Sequence, residues 1–210
     1  MPLTVQTIMD ALAGVAYATD LDGRILCIGQ RGWRLFAVEN GALGLANPDV
    51  FIGTNLFDAL AGADVRMAYA RLLERVRRGE PQITLPCRCD APGVSRDMRM
   101  TITPLRRNRT VRGVLFQSIT LAERTRPPIR LFEFADQGYP ESVPLLGMCS
   151  LCERVCPPWA DCEDQAAQWM EPERYYAEGG TSQVRISHTV CSGCFRHWVQ
   201  GWTGMPPPEF

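Results

Sequence analysis

Two short stretches carry residue types spaced to grip an ion. "MCSLCERVC" places Cys149 and Cys152 two residues apart, and "SHTVCSGCF" repeats that spacing with Cys191 and Cys194. Two intervening residues let a backbone curl so that both sulfurs of a pair point at one centre. Two such pairs supply four thiolates, and four sulfurs in a tetrahedron suit zinc. The 38 residues between Cys152 and Cys191 exceed the spacing usual for such sites, about 15 to 20. Loop closure, however, costs only about 0.6 kcal/mol per doubling of length, so length does not oppose the pairing. Four protein ligands leave no position for water, which makes the expected zinc structural rather than catalytic. His188 and Cys156 are the alternates that would replace one thiolate in a rival set. Cys156 and Cys162 both lie in the insert between the pairs, and a thiol redox sensor is the alternative use of this chemistry.

Other chemistry is sharply limited. All 22 basic residues are arginine, which removes a P-loop lysine, a Schiff base and a lysine general base. The two histidines, His188 and His197, both fall in the second cysteine cluster. Nothing beside them supplies an orienting group or an oxyanion site, so the expectation is a protein that is not an enzyme. Glu163 and Asp164 read as surface acids. Nine cysteines are an odd number in a chain whose start lacks a basic stretch and a small-residue cleavage site. Thiols and metal ligation are therefore expected ahead of a disulfide framework. No run of 18 apolar residues occurs, and the reading is a soluble, cytoplasmic protein with no membrane partner. Residues 64 to 130 hold fifteen arginines against six acids, while residues 141 to 210 hold four against nine. A tetrathiolate zinc adds negative charge to the acidic half, which argues against nucleic acid as its partner. The arginines read either as a solvated surface or as a docking surface for the acidic module or a partner.

These candidates need elements to position them. A short helix is expected over residues 5 to 13. Two apolar runs, Val15 to Thr19 and Arg24 to Ile28, flank Asp22-Gly23, a pair that tolerates the positive φ of a hairpin turn. Small helices and loops follow. In "ADVRMAYARLLERVRRGE", Val65, Ala68, Tyr69, Leu72, Leu73 and Val76 recur at helical spacing. Three strands come next. The first alternates Ile83, Leu85, Cys87 and Cys89 with Thr84, Pro86 and Arg88, which puts both cysteines on the apolar face as core thiols. The second alternates Met98, Met100 and Ile102 with polar residues, and the last is "VRGVLFQSIT". Residues 122 to 145 are rich in Pro and charge and read as a linker with a strand or docking segment at Ile129 to Phe134. Trp198 and Trp202, four apart, would share a helical face in a core-packing or docking role.

In its order of elements the chain over residues 5 to 121 resembles a PAS domain. The residues that carry the resemblance are "YATDLDGRILCIG", the "GTNLFDAL" before the long helix, and the closing "LPCRCD", "MRMTITPL" and "VLFQSI". The resemblance implies an α+β fold, with a five-stranded antiparallel sheet clasping a pocket beneath flanking helices. The tail, "MCSLCERV" through Trp169, Tyr175 and Tyr176 to "ISHTVCSGC", is similar to the cysteine-rich segment appended to some bacterial PAS and histidine-kinase signalling proteins. A histidine three residues before the second cysteine pair recurs there and matches His188, which implies a role near the sulfurs. The expected organisation is a PAS domain over 1–121, a linker over 122–145, a zinc-ribbon-like module over 146–203 and a tail over 204–210. Pocket candidates are Trp33, Phe36, Phe51, Phe57, Tyr69, Met98 and Met100. Residues 1 to 187 hold no histidine for haem, and the reactive cysteine motif of photoactive flavin PAS domains is missing, so the PAS ligand stays unknown. The resemblance further implies a homodimer and a sensory or regulatory role exercised through a signalling protein partner. A nucleic-acid-binding transcriptional regulator is the alternative.

Overall fold

The computed structural model describes residues 3–132, 140–160, 162 and 168–199. The chain opens on α1 (Val5–Ala11), whose N-cap Thr4 accepts a hydrogen bond from the Thr7 amide. The expected hairpin follows as β1 (Val15–Thr19) and β2 (Ile25–Ile28), antiparallel with Tyr17 opposite Ile28. Its turn closes because the Asp20 carboxylate accepts from the Asp22 and Arg24 amides at 2.9 and 2.8 Å, while Gly23 takes φ +87°. Then come α2 (Gln30–Glu39), two 3-10 turns, α3 (Leu56–Ala59) and the long α4 (Ala63–Arg77). The apolar stripe foreseen for α4 is buried: Val65, Ala68, Tyr69, Leu72, Leu73 and Val76 are each 8% exposed or less.

Three strands complete the sheet: β3 (Ile83–Arg88), β4 (Val94–Arg107) and β5 (Thr110–Thr125). The strand order is β2-β1-β5-β4-β3. This is the five-stranded antiparallel sheet with flanking helices that the PAS resemblance implies. Ile83, Leu85 and Cys87 are buried as their alternation requires, but the pattern fails at the strand's end. Arg88, assigned to the polar face, is 7% exposed, and Cys89 is only half-buried. The reason is electrostatic: Arg88 is drawn inward by the carboxylates of Asp90 and Glu171.

The chain divides into two compact units: Met1–Leu60 with Ala70–Pro86 and Met98–Ala122, and Ala61–Tyr69 with Cys87–Asp97 and Glu123–Phe210. The second unit contains its own three-stranded sheet. Its strands are β6 (Leu145–Cys149), β7 (Val155–Cys156) and β8 (Arg185–Thr189), in the order β7-β6-β8. The central strand β6 pairs antiparallel with β7 and parallel with β8. A parallel pair needs a long crossover, and residues 150–184, with α5 (Pro172–Ala177), provide it. Helix α6 (Ser192–Val199) follows β8. One face of this sheet supplies Leu146, Met148 and Val155 to a core that also holds Tyr175 and Val184. Ile129, Leu131 and Phe132, from the stretch expected to link, are buried in the same core. Three large apolar side chains at about 1.5–3 kcal/mol each are a substantial anchor. Phe134, Glu163, Asp164, Trp202 and the tail over 204–210 lie outside the described residues.

Candidate metal centre

Backbone geometry brings the four cysteines to one point. Strand β6 ends at Cys149, and the chain doubles back through Cys152: the Cys149 amide donates to Arg154 O (2.9 Å) and the Glu153 amide to Cys149 O (2.8 Å). Glu153 takes φ +58° to complete the turn. The parallel register sets Thr189 beside Cys149, and the Ser150 amide donates to Thr189 O at 3.0 Å. Cys191, two residues on, therefore arrives at the first turn. Helix α6 begins immediately, its Phe195 amide bonded to Cys191 O, and its first turn delivers Cys194.

The four cysteines are between 0% and 5% exposed, and their sulfurs lie within 4.8 Å of one another. Cys152 Sγ and Cys191 Sγ are 3.8 Å apart. A tetrahedron with zinc–sulfur bonds of about 2.3 Å has edges of about 3.8 Å, so the spacing fits. Backbone amides already serve the sulfurs: Cys191 N–H points at Cys149 Sγ and Cys194 N–H at Cys191 Sγ, each at 3.4 Å. The Cys149 thiol is held far below its ordinary range by hydrogen bonds from Cys152, Cys191 and Cys194. Cys152 and Cys194 are pushed up, first by that same bond to Cys149. At Cys191 the bond to Cys149 is outweighed by hydrogen bonds from Cys152 and Cys194, which lower it as well, so the protein alone does not favour four thiolates side by side, whose charges repel one another. These four residues would hold a dication as thiolates, with all four positions filled by protein.

The two alternates are placed elsewhere. Cys156 is joined to Cys162 by a disulfide, which corrects the expectation that it stands in reserve as a ligand: a bonded sulfur has no thiolate to offer. His188 pairs with Met148 in the β6–β8 register, and its Nδ1 lies 3.3 Å from Ser150 Oγ, outside the sulfur group. The spacing argument missed Arg154, two residues past Cys152. Its guanidinium donates to Glu171 Oε1 at 2.8 Å and is close enough to Cys152 and Cys191 to feel their charge, so it offsets part of the excess negative charge of a tetrathiolate.

The uneven charge along the sequence also finds a use within this unit. Asp90, its side chain fully buried, is held by Arg88 and by Arg126 at 2.9 Å. Arg88 reaches Glu171 at 2.5 Å and Arg126 reaches Glu173 at 3.0 Å. Arginines of the basic stretch thus meet glutamates of the acidic one.

The pocket candidates are divided between the two units. In the first unit, Met98 and Met100 are buried, while Trp33, Phe36 and Phe57 are half-buried. Trp33 packs on Phe51 with centroids 5.2 Å apart and donates Nε1–H to Leu45 O. Tyr69 belongs to the second unit, where its ring lies 6.4 Å from that of the buried Trp198. Among the described residues no helix is long and apolar enough to cross a membrane.

Comparison with known structures finds similarity to PAS domains. The PAS domain of BvgS from Bordetella pertussis aligns with a TM-score of 0.44 at 15% identity, covering 57% of this chain and 85% of that one. A sensory box sensor histidine kinase from Vibrio cholerae gives 0.40 at 9% identity, covering 55% and 86%. The VqmA–ligand–DNA complex from Vibrio cholerae gives 0.43 at 19% identity over 57% of this chain and about half, 52%, of that one. At these identities the likeness concerns the fold alone. No family model matches the chain, and no curated protein does.

Proposed function

We propose that this is a sensory or regulatory protein, not an enzyme, that works through protein contacts, with a PAS-like domain as the sensing part and a zinc-held lobe as a structural part. The observation that carries the proposal is the closed group of four buried sulfurs, whose ligand positions are all filled by protein. Elemental analysis with native mass spectrometry of the purified chain tests it. One zinc per chain is expected, lost together in Cys149→Ser and Cys191→Ser; a metal-free, fully folded protein, or an ion that carries a bound water, overturns it. A homodimer belongs to the same reading. It is supported by Leu3, Val5 and Ile8 around α1 and Leu121 on β5, each 48% exposed or more. Light scattering should give twice the chain mass, and Val5→Glu with Ile8→Glu should halve it.

One observation favours a second reading. The Cys156–Cys162 disulfide is the kind of bond a thiol redox sensor would make and break in a cytoplasmic setting. Peptide mapping from rapidly acid-quenched cells, with and without oxidant, separates the two: a bond whose occupancy follows the oxidant supports a sensor, and a constant one supports a scaffold.

A further inference from the structure

The core-facing side of the β7-β6-β8 sheet is filled, whereas among the described residues its other side borders a recess. Residues alternate across a strand, so Leu146 and Met148 face the core while Gly147 faces the opposite way, in register with Ser187. Those residues and Thr189 floor a recess of about 1180 Å³, larger than the roughly 300–1,000 Å³ typical of small-molecule sites. The floor is made of small side chains. The walls are aromatic: Trp159 and Trp169 come from the β7 side and Phe195 from α6.

Two features distinguish this recess from an ordinary surface hollow. The first is that Trp159 is 57% exposed yet firmly held. It sits in Cys156-Pro157-Pro158-Trp159, inside a loop closed by the Cys156–Cys162 disulfide. Its back is stacked on Tyr175 with centroids 5.6 Å apart and planes 11° apart. Tyr175 is itself 1% exposed and tied by its hydroxyl to Thr181 O at 2.9 Å. Two prolines, a covalent bridge and a stacked ring therefore fix an apolar surface that faces solvent, and such preorganisation lowers the ordering cost of binding. The second is that two buried polar groups on the walls, Trp169 Nε1–H and Ser192 Oγ, have no hydrogen-bond partner among the described residues. A buried donor left unpaired is unfavourable, and an acceptor entering the recess relieves it. The lining also carries two charged residues, Asp64 and the exposed Arg196.

We infer that this recess in the cysteine lobe binds a planar aromatic molecule that carries carbonyl-type acceptors, stacked against the fixed Trp159 and hydrogen-bonded by Trp169 and Ser192. A neutral molecule is favoured over an anion because the neighbouring tetrathiolate would be negatively charged. The site differs from the pocket of the PAS-like domain, and it stands or falls independently of what that pocket holds.

Coumarin, a flat bicycle with a ring carbonyl, is a suitable probe, and cyclohexanecarboxamide is the saturated control. Both are titrated into the full-length, metal-loaded chain by ligand-observed nuclear magnetic resonance and tryptophan fluorescence. Coumarin is expected to bind and the control not to. Trp159→Ala should weaken coumarin at least about tenfold, since it removes the stacking surface. Trp169→Phe, which keeps a ring and deletes the donor, and Ser192→Ala should each weaken it about threefold to tenfold. Metal content and thermal midpoint of each variant establish whether the lobe is intact, and Ser192→Ala, which removes no packed ring, keeps the test decisive if Trp159→Ala uncovers Tyr175 and unfolds the lobe. Failure of coumarin to bind the intact protein overturns the inference. So does binding that the Trp159 and Ser192 variants leave unaltered, because the probe is then held elsewhere.

Discussion

Asp90 is a carboxylate shut away from water, where Arg88 and Arg126 both donate to it and the Arg96 amide donates to its Oδ1 at 2.9 Å. Removing one member of such a group strands the others' charge in a poor solvent. Asp90→Ala is therefore expected to cost about 3–5 kcal/mol, read as a lower urea midpoint, whereas Arg174→Ala, an exposed helix pair with Glu178, should cost under about 0.5 kcal/mol. Equal effects would show that the buried group carries no special weight. Cys89 illustrates the same solvent argument for a thiol. Burial, then the nearby charge of Glu153, pushes its pKa up to about 12. A folded pKa above the unfolded one means stability that is complete below the unfolded value, about 8.5, and lost as pH rises toward 12. Cys89 should resist iodoacetamide at pH 8.5 in the folded protein, and the fall in stability from pH 8.5 to 10 should be shallower in Cys89→Ala. Rapid alkylation of Cys89 without unfolding would contradict this. The four sulfurs were legible in the sequence because a two-residue spacing is a local property. The Cys156–Cys162 bond, six residues in span, was legible only as a redox alternative, and the burial of Arg88 was not legible, since it depends in part on Glu171, which only the folded chain brings near.

Elements meet closely where a side chain would keep them apart. Gly62, just before α4, has φ +87°, and a Cβ built there would lie 2.1 Å from His188 O on β8. Both residues belong to the second unit. Gly62→Ala must therefore distort the backbone and push β8 away, with an expected cost above about 2 kcal/mol. Gly179→Ala is the control: it also has positive φ, but nothing lies within 4 Å of its Cβ, so it should cost only about 1–2 kcal/mol from backbone strain. A smaller loss at Gly62 than at Gly179 would mean that the close approach to β8 does not matter. Periodicity made α4 readable, and Asp22-Gly23 made the first hairpin readable, because both signals lie within a few consecutive residues. The parallel β6–β8 pair left no such mark. Its partners are some forty residues apart, and the stretch between them has the composition of an irregular loop. Within the 122–145 segment, the apolar run from Ile129 marked a docking segment despite the surrounding prolines and charges, but the core that buries Ile129, Leu131 and Phe132 forms later in the chain and could not be read from it.

At the scale of the whole molecule the question is how far the sulfur group supports its unit. Sheet β7-β6-β8 is short, its core cluster is modest, and the β6–β8 pair closes a long loop. Structural zinc in comparable small modules contributes about 10–16 kcal/mol, against about 5–15 kcal/mol for the net stability of an ordinary domain. Withdrawing a zinc bound here, as proposed, should therefore unfold the second unit's sheet rather than loosen it. The first unit's strands β1 and β2 draw on contacts of their own, among them Tyr17 stacked on Phe116 at 4.9 Å. Hydrogen exchange followed by mass spectrometry, with chelator added under reducing conditions, should show protection collapsing over residues 145–156 and 185–199 while β1, β2 and α2 retain theirs. Re-addition of zinc should restore the lost protection, and cobalt should do so with the intense visible bands of a tetrahedral thiolate site. Protection that survives chelation throughout would mean that packing alone holds β6 and β8 in register, and that the four sulfurs converge without being needed to do so.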